Sequence, residues 1–444
     1  MSFVRVTTVL ATPLALAAPL AAQTLPPVRA LGAVTATSSE SFLAPAVGVR
    51  ALPGGKVLVH DQMGRRVVLL DDALANPQVV ADTTPATGNA YSGRIAGLLP
   101  YKGDSSLFVD PQSLSMLVID PVGKVGRVMS VPRSQDAMAF VGLQGNPGID
   151  ANGRIVYRAA PSFRFSGPPG AGGAPPVPEM PDSAAIVRID LATRALDTLG
   201  WIKTPKIKMN IVREENRVSM TSEVNPLPVV DDWAVLSDGT IAFVRGRDYH
   251  VDFVDPDGST RTAAKIPFEW QRLTDEQKVA FIDSVKVVRE RQMAEARANA
   301  PVNATAGSAP VQVEGGMRFE MRTMGAPGGN SPAPRPGAPG ETRIMGPGGM
   351  GANLNFVPPS ELPDYRPAFF QGQVRADAEG RLWVRTTNYK DGGSIYDVID
   401  RKGELVDRVA VPAGRSIAGF GSEGAVYLVS RDGTKTVLER ASVK

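Results

Sequence analysis

The sequence predicts an all-β protein in which one four-stranded unit recurs along most of the 444 residues. A glycine-bearing turn is repeatedly followed by a strand of β-branched or aromatic residues, and a second such strand follows about eleven residues later in the uninterrupted copies. We find this pair six times, with first strands beginning at Val57, Leu107, Ile155, Ile241, Leu382 and Val426. Four-stranded units that recur about every fifty residues are typical of a β-propeller, because a blade buries its two faces only against neighbouring blades.

The C-terminal part of the chain holds one complete copy and most of another. Val374–Arg385, Ile395–Asp400 and Leu405–Val411 supply the strands of the complete copy, with turns at Asp391–Gly393 and Arg401–Gly403. The next copy ends after three strands. The segment Val28–Ala36 near the N-terminus is predicted to supply the fourth, which would close six blades into a ring without an exposed sheet edge.

Two long intervals interrupt the repeat. Neighbouring copies lie 50, 48, 86, 141 and 44 residues apart. The interval of 86 contains a Gly/Pro-rich loop, 161–181, and a polar stretch, Thr204–Pro228, that we interpret as a long loop between blades. The interval of 141 contains an insertion, 268–370, whose segment 301–351 is so rich in Gly, Pro and Ala that it is predicted to be disordered.

One amphipathic helix, 274–298, is predicted at the start of this insertion. Thr274 and Gln277 have the spacing of a capping box, in which each side chain binds a free backbone amide of the other residue. Val279, Ile282, Val285 and Val288 then recur at near-helical spacing. We expect this stripe to pack on the helix's own domain; docking of a partner is the alternative.

Residues 1–22 are interpreted as a cleaved signal peptide. Arg5 precedes an apolar stretch, Val6–Leu20, and Ala21–Ala22 form a small-residue cleavage site before Gln23. The domain proper is then 23–444, and the protein is expected to be periplasmic or secreted. A membrane anchor is the alternative, but the stretch is short and contains two prolines. No later segment has the apolar length of a membrane span, so no transmembrane span is expected in the mature chain.

Composition excludes several classes of site. The chain has no cysteine, which excludes disulfides and thiolate metal ligands. Its 48 Lys and Arg residues nearly balance 45 Asp and Glu residues, without a long run of one sign, so no nucleic-acid partner is expected. We predict no cofactor and a monomeric chain.

The strand entries Asp377–Val384 and Asp150–Val156, together with the ending Tyr396–Leu405 that leads to Pro412, resemble the exported six-bladed propellers of the NHL and TolB-like type. The resemblance covers most of the chain outside 268–370. It implies the propeller fold and export, but no single function, since this fold hosts binding proteins and hydrolases alike.

Several predicted first strands end in a polar or charged residue at comparable positions. These residues, the candidate ligand-binding set, are His60, Asp110, Arg158, Arg245 and Arg385. If they gather at one mouth of a central channel, the arginines would favour a carboxylate or phosphate group. The alternative is that strand ends are polar because they are solvated. Structural roles are favoured for the two histidines, His60 and His250.

A metal site has weaker support. The gluconolactonase-like propellers, a related six-bladed group, bind a divalent metal in the channel through acidic and amide side chains. This resemblance gives no residue to carry over. Asp110, Asp150, Asp231 and Asp232 could supply oxygen ligands, but Asp in blade turns is usually a turn former. No metal ligand and no catalytic residue is predicted.

The favoured hypothesis is therefore an exported, non-enzymatic propeller that binds a protein, a peptide or a small anionic ligand at one face, with an envelope protein as a candidate partner. The alternative is a metal-dependent lactonase or hydrolase of the gluconolactonase-like type. A structural scaffold for an envelope assembly is a third hypothesis.

Overall fold

The computed structural model describes residues 25–443 except 45–46, 85–88, 94, 143–144, 162–163, 167–176, 215–216 and 299–353. The predicted signal peptide and the predicted disordered segment 301–351 lie outside the described residues, as does much of the predicted loop 161–181.

Strands dominate the described chain, and most of them form antiparallel sheets of four. Two strands precede these sheets: β1 (Val28–Ala30) and β2 (Val34–Phe42). Sheet 1 contains β3 (Gly48–Ala51), β4 (Val57–Asp61), β5 (Arg66–Leu70) and β6 (Gln78–Asp82). Sheet 2 contains β7 (Gly97–Pro100), β8 (Ser106–Asp110), β9 (Ser115–Ile119) and β10 (Val125–Ser130).

Sheet 3 is interrupted by a short hairpin. It contains β11 (Gly148–Ile149), β12 (Ile155–Arg158), β15 (Ser183–Ile189) and β16 (Leu196–Lys203), whereas β13 (Arg164–Ser166) pairs only with β14 (Val177–Glu179). The next hairpin joins β17 (Ile207–Glu214) to β18 (Arg217–Val224). Sheet 4 contains β19 (Asp232–Val235), β20 (Ile241–Arg245), β21 (His250–Val254) and β22 (Thr260–Thr262).

The last part of the chain adds one helix and two sheets. Helix α1 (Asp275–Ala298) is followed by β23 (Leu354–Phe356). Sheet 5 contains β24 (Phe369–Ala376), β25 (Leu382–Lys390), β26 (Gly393–Ile399) and β27 (Leu405–Val411); sheet 6 contains β28 (Arg415–Phe420), β29 (Ala425–Asp432) and β30 (Lys435–Ser442). Short 3-10 helices occupy Pro53–Gly55, Ser134–Val141 and Pro359–Glu361. The prediction of an all-β protein made of repeated four-stranded antiparallel sheets is confirmed.

The strands form where the sequence alternates between two buried faces. In β4 the side chains of Val57 and Val59 pack between sheets 6 and 1, whereas Leu58 packs between sheets 1 and 2. In β25 Leu382 faces sheet 4 and Trp383 faces sheet 6. Since successive side chains of a strand point to opposite faces, a strand buried on both sides appears in the sequence as an unbroken apolar run.

Tight turns at the strand ends use the Asp-to-Gly pattern of the sequence. The N–H of Gly123 donates to the carbonyl oxygen of Asp120 at 3.0 Å, and the Asp120 carboxylate accepts from the N–H of Val122 at 3.0 Å. Gly258 and Gly403 close the corresponding turns, and all three glycines have φ between 85° and 89°. The positive φ requires glycine, and the Asp side chain replaces a missing backbone partner.

The N-terminal strand differs from its prediction. The predicted strand Val28–Ala36 is two strands: β2 pairs antiparallel with β30 in sheet 6, whereas β1 pairs in parallel with β27 in sheet 5. The chain changes sheets at Gly32, whose N–H donates to the carbonyl oxygen of Ser442 at 3.1 Å. A Cβ at Gly32 would lie 2.4 Å from that oxygen, so only glycine allows this close approach.

The prediction of a loop at Thr204–Pro228 is wrong. Most of it forms the β17–β18 hairpin, which pairs along its whole length and adds β23 in parallel to β18. Charged and polar residues occupy many of its positions, and this obscured the strand pattern. Cross-strand backbone hydrogen bonds tolerate such side chains on a surface hairpin.

Helix α1 begins with the predicted capping box. The N–H of Thr274 donates to Oε1 of Gln277 at 2.9 Å, and the N–H of Gln277 donates back to Oγ1 of Thr274 at 3.3 Å. Ile282 packs with Leu227, Val357 and Leu362 in a separate apolar cluster. The predicted stripe is only partly buried, because Val279 and Val288 are exposed. In the described part of the chain no helix is long and apolar enough to cross a membrane.

We predict that β2 contributes strongly to stability. Phe42 is fully buried between sheets 6 and 1, whereas its neighbour Leu43 is 53% exposed. Phe42→Ala should lower the free energy of unfolding by about 3–5 kcal/mol, because it leaves a cavity in the core. Leu43→Ala is the matched control and should change it by less than about 0.5 kcal/mol. Urea denaturation measures both; equal effects would contradict the placement of β2.

Candidate functional site

A cavity of about 170 Å³ lies between sheets 5 and 6, beside the edge strands β24 and β28. Its polar lining comes from Gln373 and Arg375 of β24, Arg385 of β25, Tyr396 of β26 and Ser416 of β28. Apolar side chains complete the walls. A concave space on which several polar groups converge is a usual feature of a small-molecule site.

Strand pairing brings the cationic and phenolic groups to one place. Arg385 and Tyr396 are directly opposite each other on β25 and β26. Nε of Arg385 donates to Oγ of Ser394 at 3.0 Å, which fixes one edge of this guanidinium. Nη1 of Arg375 donates to the carbonyl oxygen of Ala418 at 3.3 Å and so links sheet 5 to sheet 6. Two positive charges therefore border one small cavity.

Tyr396 is buried, and its hydroxyl is a proton donor at neutral pH. Burial raises the pKa of Tyr396 above its ordinary value, although the positive charges of Arg385 and Arg375 oppose that rise. The backbone N–H of Ile417 opposes the rise as well, because it favours the charged form of the phenol. Burial lowers the pKa of Arg375, but a guanidinium remains charged at neutral pH.

Behind the cavity wall lies a buried carboxylate, Asp232, the first residue of β19. Its Oδ2 accepts from the N–H of Val374 at 2.9 Å and its Oδ1 from the N–H of Trp233 at 3.0 Å. The backbone amides of Gln373 and Gly372 also favour its charged form. Burial raises the pKa of Asp232 to about 7, against these hydrogen bonds. The carboxyl group is thus poised to change charge near neutral pH.

The structure places two of the five candidate ligand-binding residues near this site. Arg385 lines the cavity. Arg158 is 3% exposed and interacts electrostatically with Asp232; burial lowers the pKa of Arg158 to about 10, and the Asp232 charge opposes that shift.

The other three candidates have local partners within or between their own sheets. His60 packs edge-on against Phe108, with ring centroids 5.0 Å apart, and burial lowers its pKa to about 4. Asp110 accepts from the N–H of Ser92 at 2.8 Å. Arg245 forms ion pairs with Asp231 and Asp252.

Sequence reasoning did not select Arg375 or Tyr396, and it considered Asp232 only as a metal ligand. Arg375 and Tyr396 belong to strands that were predicted, but nothing in their spacing shows that they face one cavity. The signal that could have found them is their proximity to Arg385 in the same predicted blade.

The residues do not fit the divalent metal that the resemblance to gluconolactonase-like propellers implies. Within the described residues no group of three or more His, Asp or Glu side chains could hold a metal ion. Asp110 and Asp150 bind turn amides, Asp231 binds Arg245, and Asp232 binds the backbone of β24. These four carboxylates are therefore engaged by protein partners and do not form a divalent metal site.

No protein-family model matches the sequence, and no curated protein matches it. Among solved structures, the chain is similar to a gluconolactonase from Xanthomonas campestris, with 12% identity, a TM-score of 0.37, and coverage of 95% of this chain and 98% of that chain. It is similar to virginiamycin B lyase from Staphylococcus aureus, with 11% identity, a TM-score of 0.34, and coverage of 90% and 96%. It is also similar to a member of the DUF4221 family from Bacteroides vulgatus, with 9% identity, a TM-score of 0.44, and coverage of 94% and 96%.

These comparisons correct the favoured functional hypothesis. The prediction of a non-enzymatic propeller that binds a protein, a peptide or a small anionic ligand is wrong, since solved structures that the chain resembles are named as enzymes. They agree better with the enzymatic alternative that the sequence left open. At these identities and TM-scores they assign no particular reaction to this chain.

We predict that Asp232 makes the protein less stable as the pH rises. Its pKa is about 7 in the folded chain, against an ordinary value of 3.8, so the folded state binds the proton more tightly. Its stabilising contribution is complete below about pH 4 and is lost as the pH rises through about 7. Asp397, with its pKa raised by burial to about 6, acts in the same direction. Asp232→Asn should therefore reduce the fall in unfolding free energy between pH 5 and pH 8, as measured by urea denaturation.

Asp377→Asn is the matched control for this prediction. Asp377 is also buried, and its carboxylate binds Nε of Arg381 and Nε1 of Trp383 within sheet 5. The control should keep the wild-type difference between the two pH values. An Asp232→Asn variant with an unchanged difference would contradict the prediction.

Proposed function

We propose that this chain is an enzyme that opens small lactones or esters in the cavity between sheets 5 and 6. The observation that carries the proposal is the convergence of two guanidinium groups and one buried, protonated phenol on a small cavity. The guanidinium groups can only donate hydrogen bonds, and the protonated phenol can donate one. Together they stabilise a substrate oxygen that gains negative charge during the reaction.

The proposed reaction begins when a water molecule adds to the acyl carbon of the substrate. The carbonyl oxygen then becomes an oxyanion, and the guanidinium groups of Arg375 and Arg385 donate hydrogen bonds to it. Preorganised donors in a site shielded from water are worth more than the same donors in solution, because they need no reorientation as the charge develops. The small volume restricts the site to compact substrates.

Tyr396 acts as the general acid. As the bond between the acyl carbon and the ring oxygen breaks, the phenol donates its proton to the departing oxygen. The proton released by the added water restores the phenol, so one water is consumed and a hydroxy acid is formed. The backbone N–H of Ile417, which favours the charged phenol, stabilises its transient negative charge.

We further propose that the scaffold is a six-bladed propeller of the NHL and TolB-like type, closed by β2. Support comes from the inner strands, since β3 contacts β7, β11 contacts both β7 and β19, β19 contacts β24, and β28 contacts β3. Separate apolar clusters fill the spaces between successive sheets, including the space between sheets 6 and 1. The pairing of β2 with β30 ties the N-terminal part to the last sheet.

The first test is hydrolysis of a panel of γ- and δ-lactones and simple aryl esters by the wild-type chain, followed through acid release with a pH indicator. We expect saturable turnover of at least one compact substrate. Tyr396→Phe should lower kcat by roughly 10²-fold or more, since it removes the proton donor and keeps the ring. Tyr389→Phe, an exposed tyrosine of the neighbouring strand, should leave kcat unchanged. Absence of turnover on the whole panel would overturn the proposed reaction.

We predict that the positive charge of Arg385 is not sufficient for activity and that its planar guanidinium group is also required. Arg385→Lys keeps the positive charge but loses the planar fork, so kcat/KM should fall roughly 10²-fold. Arg261→Lys, on a guanidinium that stacks on Phe253 at 3.7 Å in sheet 4, is the control and should have wild-type activity. Thermal melting of both variants separates lost activity from lost folding. A full retention of kcat/KM in Arg385→Lys would exclude this guanidinium from the reaction.

A further inference from the structure

The wall of the cavity contains an irregular part of β24. The ladder between β24 and β25 pairs Phe369 with Thr386 and then Val374 with Val384, so the register shifts across the intervening residues. Gly372 lies in this interval with φ of 80°, a conformation that favours glycine. Gly372 and Gln373 both line the cavity. Part of the wall is therefore backbone that has left the sheet ladder.

Backbone amides that leave a ladder need other acceptors, because a buried N–H without a partner is costly. Here the neighbouring sheet supplies an acceptor. Asp232 is 1% exposed and accepts from the N–H of Val374, at the end of the irregular part, at 2.9 Å. The backbone amides of Gly372 and Gln373 favour the charged form of the same carboxylate. The carbonyl oxygen of Val374 accepts from Nδ2 of Asn146 at 3.0 Å, which fixes the other side of the same peptide segment.

We propose that Asp232 is the positioning residue of this site, holding the wall segment Gly372–Val374, and with it Gln373 and Arg375, in the geometry that receives the substrate. This inference rests on the function proposed above. Asp232 does not line the cavity, so it acts through the wall and not on the substrate. The next residue along the wall, Arg375, carries one of the two guanidinium groups of the proposed reaction.

The charge of Asp232 is balanced by the groups that face it. Arg158 approaches from β12 and Arg375 from β24, and both interact electrostatically with the carboxylate. Because the pKa of Asp232 is raised to about 7, protonation of the carboxylate competes near neutral pH with the hydrogen bonds that it accepts from backbone amides. A protonated carboxyl group offers fewer acceptor positions to these amides. The wall should loosen as the pH falls below about 7.

The test combines hydrogen exchange with binding of one named probe, 4-hydroxybutyrate, the hydroxy acid that opening of γ-butyrolactone yields. In Asp232→Asn the amides of 372–374 should exchange at least about tenfold faster than in the wild type, since one carboxylate oxygen is replaced by an NH₂ group that cannot accept a hydrogen bond. Calorimetry should give an affinity for the probe that is roughly tenfold to a hundredfold weaker at pH 8, because the wall is misplaced. Asp377→Asn should change neither.

The pH profile separates positioning from a general structural role. Wild-type affinity should fall between pH 8 and pH 6, whereas Asp232→Asn, which is neutral at both values, should bind the probe weakly and equally at both. Gly372→Ala tests the segment itself: its new Cβ meets nothing within 4 Å, so it acts only by straining the positive φ. It should also weaken binding, with the pH dependence from Asp232 retained.

Two outcomes would overturn the positioning role: unchanged exchange at 372–374 in Asp232→Asn, or unchanged probe affinity at both pH values despite faster exchange. If exchange rises as expected while the wild type neither binds 4-hydroxybutyrate nor opens any lactone of the panel, the anchoring of the wall is supported and the proposed reaction is overturned. The two proposals therefore fail separately.

Discussion

Each sheet of this chain must be covered on both faces, and the rest of the structure depends on that constraint. Strands such as β4 and β25 carry apolar side chains on both sides, so a sheet alone would leave one or both faces in water. Neighbouring sheets provide this cover. The apolar clusters follow the order of the sheets along the chain, with one cluster between each sheet and the next. The insertions are consequently confined to the connections, where Ile282 of α1 packs with Leu227, Val357 and Leu362 in a separate apolar cluster.

Polar groups enter these interfaces where backbone or charge requires them. Between sheets 4 and 5 the hydroxyl of Tyr249 donates to Oδ2 of Asp397 at 2.9 Å, and Arg408 lies 3.5 Å from the other oxygen. Asp232 of β19 connects the same two sheets, because it accepts a hydrogen bond from the N–H of Val374 in β24. A buried carboxylate without partners is strongly destabilising, so each of these groups fixes the relative position of its two sheets. Apolar packing alone would define that position less sharply.

The fold was far more predictable from the sequence than the site was. Strand positions follow from short-range patterns: apolar runs, Asp-to-Gly turns and the Thr274–Gln277 capping box each depend on a few consecutive residues. The exchange of sheets at Gly32 depends on a contact with Ser442 at the other end of the chain, which no local pattern contains. The cavity depends likewise on Arg375 and Ser416, which lie on the edge strands of different sheets. Arg385 was identified because it ends a recognisable strand, and its partner Tyr396 was not, because a buried tyrosine looks like any other core residue.

Burial of the Asp232 carboxylate is unfavourable for the free energy of folding, and an apolar residue of similar size would fill the same space. Removing the carboxylate would not relieve the cost, because the N–H of the buried Val374 would then lose its acceptor. Val374 also ends the irregular part of β24, whose backbone lines the cavity. The geometry of the irregular wall therefore depends on the buried carboxylate. The irregular strand and the buried carboxylate are unfavourable for folding, but they maintain an open, polar cavity in a packed interface. Local irregularity of this kind is concentrated at functional sites.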